Sequence, residues 1–108
     1  MLPERVREIA ARFEELERLL ALPEVASDYS RAQAVLREHG SLKPLALLAS
    51  EFQRVTSEME YARVIVREEG DRELAALARE ELARLEGRRA SIERDLKLAL
   101  VPRDPNDG

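Results

Sequence analysis

The chain has 108 residues, 44% apolar but only 4% aromatic, with 18 basic and 22 acidic side chains for a net charge of −4. That length makes one ordinary domain with a real core, while the acidic balance and the few aromatics argue against a free-standing nucleic-acid binder. The absence of cysteine excludes disulfides and thiolate chemistry, and no run reaches the ~18 apolar residues of a membrane span.

The first helix is expected to begin at Pro3, since proline suits a first helical turn. Val6, Ile9, Ala10, Phe13, Leu16, Leu19 and Leu20 form one apolar stripe on a helix otherwise covered by Glu and Arg. Glu8 and Arg12, and Glu14 and Arg18, sit at the i, i+4 spacing of stabilising ion pairs. Leu22 precedes Pro23 and is pushed out of the α region, so this helix ends near Ala21.

A shorter second helix is expected after Ser27 or Asp28, either of which can cap it. Its apolar face is thin, consisting of Ala32, Val35 and Leu36. Gly40 reads as a left-handed residue closing this helix. A third helix then starts near Ser41, with Pro44 in its first turn. Leu45, Leu48, Phe52, Val55, Met59, Ala62 and Val66 follow by alternating steps of three and four, which is a heptad seam.

Gly70 ends the third helix and Asp71 caps the fourth. The seam continues through Ala75, Ala78, Leu82, Leu85, Arg89, Ile92, Leu96 and Ala99. Arg89 interrupts it, and is expected to lay its stem on the seam with its charged end toward water or a glutamate. Two long helices joined by a tight turn run antiparallel. The fold class predicted is therefore all-α: a helical bundle built on a long antiparallel hairpin, with three main helices and one short one. Residues 1–100 form the domain, and 101–108, rich in proline and turn formers, read as the start of a linker.

Candidate chemistry is sparse. His39 is the only histidine and lacks the Glu-x-x-His partners of a bundle metal site, so contact with helix-end carbonyls is expected of it. Glu14–Glu15, Glu68–Glu69 and Glu80–Glu81 lie among arginines on expected solvent faces, where nothing would shift a carboxylate toward catalysis. No phosphate loop, Gly-x-Gly-x-x-Gly or Gly-x-Ser-x-Gly occurs. No catalytic residue, metal ligand or cofactor site is nominated, and the residues alone describe a helical interaction module. The seam can be read as the inside of a hairpin in a monomer or as the interface of a free-standing coiled-coil adaptor that self-associates. One Asn, two Gln and the excess of Arg over Lys suit a thermophile or a GC-rich genome equally.

The end of the chain narrows this. The run Leu98-Ala99-Leu100-Val101-Pro102-Arg103-Asp104-Pro105-Asn106-Asp107 resembles the junction after the helical N-terminal domain of bacterial class-1 peptide chain release factors, where a leucine-rich helix ends in Leu-x-Pro-x-Asp-Pro-Asn-Asp. Pro102, Asp104, Pro105, Asn106 and Asp107 carry that motif. Residues 70–82, opening Gly70-Asp71-Arg72-Glu73-Leu74, are similar to the start of that domain's last long helix. Leu36-Arg37-Glu38-His39-Gly40 departs from the family, which tends to carry a longer Lys- and Glu-containing helix there. The resemblance implies a cytoplasmic translation termination factor of the type reading UAA and UAG. It also implies that the codon-reading tripeptide and the Gly-Gly-Gln of peptide release lie beyond Gly108, so that this part is non-catalytic. The implied partners are the ribosome, at the stalk base of the large subunit, and the class-2 GTPase factor. From the residues themselves no cofactor, no membrane and no sequence-specific contact with nucleic acid are expected.

Overall fold

A computed structural model of the chain describes residues 2–101. Among these there are four helices and no strand: α1 (Leu2–Ala21), α2 (Pro23–Ala26), α3 (Tyr29–Glu68) and α4 (Arg72–Leu100). The class is the all-α one expected, with three long helices and one short. No helix among the described residues is long and apolar enough to cross a membrane. The residues fall into two units that divide between Ser50 and Glu51, and α3 runs through both.

In the first unit α1 buries Val6, Ile9 and Leu16 from its stripe and leaves Phe13 half-buried. Neither expected i, i+4 ion pair forms. Arg12 turns instead to Glu15 at 3.3 Å and to Glu38 of α3, where its Nε and Nη2 donate to the two carboxylate oxygens at 2.6 and 2.7 Å. The fork of the guanidinium matches the carboxylate better than a single i, i+4 contact would. Leu22 is extended (φ −77°, ψ 129°), as a residue before proline should be. Pro23 then opens α2, a one-turn helix against α1 whose Val25 is fully buried. Asp28 starts α3, accepting at Oδ1 from the Arg31 amide at 3.2 Å.

The expected break at Gly40 is absent. α3 is continuous for 40 residues, a length of about 60 Å. Gly40 has no positive φ, so it does not close a helix, and Pro44 lies inside α3 rather than in a first turn. Proline within a helix removes the amide that would bond the carbonyl four residues back, which here belongs to Gly40. The local stop signals at Gly40 and Pro44 are therefore overridden by the packing of Ala46 and Ala49, both buried.

In the second unit the seam is as spaced. Phe52, Val55, Met59 and Ala62 of α3 are buried, as are Ala75, Ala78, Leu85, Ile92 and Leu96 of α4. Ala99, placed on the seam by its spacing, is instead exposed. Glu69–Asp71 connect the helices with Gly70 at negative φ, and the Asp71 carboxylate accepts from the amides of Glu73 (2.8 Å) and Leu74 (3.2 Å). That bond satisfies two of the four amides a helix start leaves unpaired. α4 ends where Val101, the residue before Pro102, becomes extended.

Candidate interaction surface

The hairpin of the second unit carries the candidate surface and fixes its geometry. Arg88 of α4 donates to Glu51 of α3, through Nε at 2.8 Å and also through Nη2, tying the helices together away from the turn. Next to it the Arg89 guanidinium lies 4.8 Å above the centre of the Phe52 ring, and its Nε is 3.7 Å from Glu93. The stem does lie on the seam, and the charged end meets both a glutamate and an aromatic face.

Toward the turn the seam changes character. Ala62 and Ala78 are short, so α3 and α4 leave a groove of about 400 Å³ between Ser57, Glu58, Tyr61, Ala62 and Ile65 on one side and Ala78, Glu81 and Leu85 on the other. Tyr61 stands 70% exposed at its wall. Leu74, 50% exposed, continues the stripe Ala78, Glu81, Leu85 by one further four-residue step toward the turn. Glu81 accepts from Arg84 Nε at 2.9 Å, and this bond holds its carboxyl below the ordinary value. Glu58 pairs with Arg54 at 3.3 Å. The lining is apolar and the rim is charged, an arrangement for binding a surface.

Of the residues weighed for chemistry and set aside, Glu81 lines the groove and the others do not. His39 is not at a helix end, because α3 continues past it. Its ring stacks on Phe13 with centroids 4.4 Å apart, and its Nε2 is 3.9 Å from Glu17. Glu14, Glu15, Glu68, Glu69, Glu80 and Glu81 are all exposed. Glu15 pairs with Arg12, Glu68 with Arg67 at 3.7 Å, and Glu69 accepts from the Asp71 amide at 3.1 Å. Among the described residues no group of three or more His, Cys, Asp or Glu is placed to hold a metal. The motif residues Pro102, Asp104, Pro105, Asn106 and Asp107 lie outside the described residues. Tyr61, Ile65 and Leu74 are not marked by the seam spacing. For Ile65 a signal is nonetheless present: Val64, Ile65 and Val66 in a row make the apolar face of α3 wider than a two-position seam needs.

Residues 9–108 match the family model described as the PCRF domain. Among curated proteins, the chain is 40% identical over 104 residues to peptide chain release factor 1 of Acidobacterium capsulatum, covering 96% of this chain and 29% of that protein. It is 35% identical over 107 residues to peptide chain release factor 1 of Aliarcobacter butzleri, covering 99% of this chain and 29% of the relative. The release factor 1 of Limosilactobacillus reuteri is 34% identical over 104 residues, with 96% and 29% covered. The chain thus spans less than a third of the length of these relatives. No solved structure matches. With a family model covering all but the first eight residues, the chain belongs to the PCRF domain family of peptide chain release factors.

Proposed function

We propose that this chain is the N-terminal, non-catalytic arm of a cytoplasmic translation termination factor of the type reading UAA and UAG. The observation that carries the reading is the alignment of nearly the whole chain with release factor 1 proteins, of which it spans 29%. In this reading the codon-reading and Gly-Gly-Gln segments belong to the remaining length, and residues 101–108 begin the linker toward them. The arm meets the ribosome at the stalk base of the large subunit and the class-2 GTPase factor. A long hairpin with a capped, tight turn suits that work, because paired helices resist bending where a single helix does not.

Two measurements test this. Residues 1–108 alone should release no peptide from ribosomes stalled at UAA. A chimera carrying this chain in place of the matching 29% of the Aliarcobacter butzleri factor should release peptide at UAA and UAG, and respond to the class-2 GTPase. Release by the isolated chain, or a chimera indifferent to the GTPase, would contradict the reading.

A further inference from the structure

We propose that the groove near the hairpin turn is the docking site for one amphipathic helix of a protein partner, carrying Lys or Arg along the flanks of its apolar face. The proposal rests on the arm reading above and assigns the arm's contact to a place and a chemistry. Two packed helices leave a concave strip along each side of their seam, and a third helix fills such a strip with side chains at i, i+3, i+4 and i+7. Here the strip is deepened by Ala62 and Ala78 and walled by Tyr61, Ile65 and Leu85.

Charge selects the occupant. Between Glu58 and Glu81 the chain has eight carboxylates and four arginines, an excess of four that equals the net charge of the whole protein. That stretch runs from one rim residue of the groove, Glu58, through the turn to the other, Glu81, and with the arginines that pair with these two, Arg54 and Arg84, an excess of two carboxylates remains over residues 54–84. A second copy of this chain would bring like charge to like charge, whereas a basic flank would be steered in. The rim pairs of Glu58 with Arg54 and Glu81 with Arg84 are exposed, and such pairs are weak enough to exchange for an incoming cation.

The test uses the isotope-labelled 108-residue chain and two synthetic helical peptides that share one Leu stripe, one flanked by Lys and the other by Glu. The Lys peptide is expected to bind at least about tenfold more tightly than its twin, to weaken as salt rises from about 50 to 300 mM, and to shift amide signals within 57–65 and 74–85. Tyr61→Glu, at a position already mostly in water, should abolish that binding, as should Ile65→Glu. Leu36→Glu, exposed on the first unit, should leave it unchanged. Equal binding of the two peptides, shifts mapping elsewhere, or dimerisation of the chain through the groove would overturn the proposal. Co-sedimentation with large ribosomal subunits separates it from the arm reading. Tyr61→Glu leaving co-sedimentation intact would overturn the groove as the arm's contact. Peptide binding without any co-sedimentation would support the groove and overturn the arm reading.

Discussion

The two halves of α3 solve the same problem differently. From Glu51 onward the helix lies in a hairpin with α4, and both contribute large apolar side chains at heptad spacing: Phe52, Val55 and Met59 from one, Leu85, Ile92 and Leu96 from the other. Before Ser50 the same helix contains Gly40 and Pro44, and its buried residues are alanines. There it is joined to α1 by the Arg12–Glu38 fork and the Phe13–His39 stack, contacts between residues 26 apart in sequence. A helix with poor local propensity persists where distant segments hold it, and a helix with strong periodicity is held by its immediate successor.

Substitutions in either half put this contrast at risk. The largest effect is expected at Phe52, which is 3% exposed and lies beneath Arg89. Phe52→Ala should cost about 3–5 kcal/mol in urea unfolding. A loss below ~1 kcal/mol would mean the ladder does not carry the second unit. Pro44→Ala restores a missing amide within a continuous helix and should stabilise the protein by about 1–3 kcal/mol. Destabilisation there would mean that the chain needs a break at this point.

Asp71→Ala removes both cap bonds of α4 and should cost about 0.5–2 kcal/mol, with Asp71→Asn losing less. Gly40→Ala should stabilise by about 0.5–1 kcal/mol, since φ is negative and an added Cβ meets nothing within 4 Å. A cost instead would place Gly40 in a left-handed turn.

The smallest effect concerns pH. The hydrogen bonds from Arg12 hold the Glu38 carboxyl below its ordinary value of 4.5. The unfolded chain therefore takes up this proton first, and the pair contributes stability above 4.5 that is lost as pH falls through the lowered value. Arg12→Ala should lower thermal stability slightly at neutral pH and merge with the parent in acid. A difference that grows on acidification would reverse the sign.

Much of the second unit is legible in the sequence because its signals are local and repeated. The five seam positions of α3 from Phe52 to Val66, the cap at Asp71 and the stem of Arg89 each follow from spacing or from a side chain's own chemistry. Ala99 departs from the seam because spacing continues to the helix end whether or not a neighbour remains to cover it. α2 is not legible because a one-turn helix has no period, although Pro23 marks its start. The break expected at Gly40 shows the opposite error, with strong local punctuation overruled by packing. The groove is hidden because it depends on how small Ala62 and Ala78 are against each other across two helices, a relation no single-helix pattern contains.

All of this requires that the heptad stripes of α3 and α4 are consumed within one chain, leaving an arm and not a zipper. Sedimentation equilibrium of the 108-residue chain over a wide concentration range decides between the two. A monomeric arm gives a constant mass of 12.3 kDa at every loading, and that is the expected result. A mass that climbs toward twice that value with concentration, and returns to one chain when Phe52 and Met59 are made polar without loss of helix, would contradict it and establish the self-associating adaptor instead.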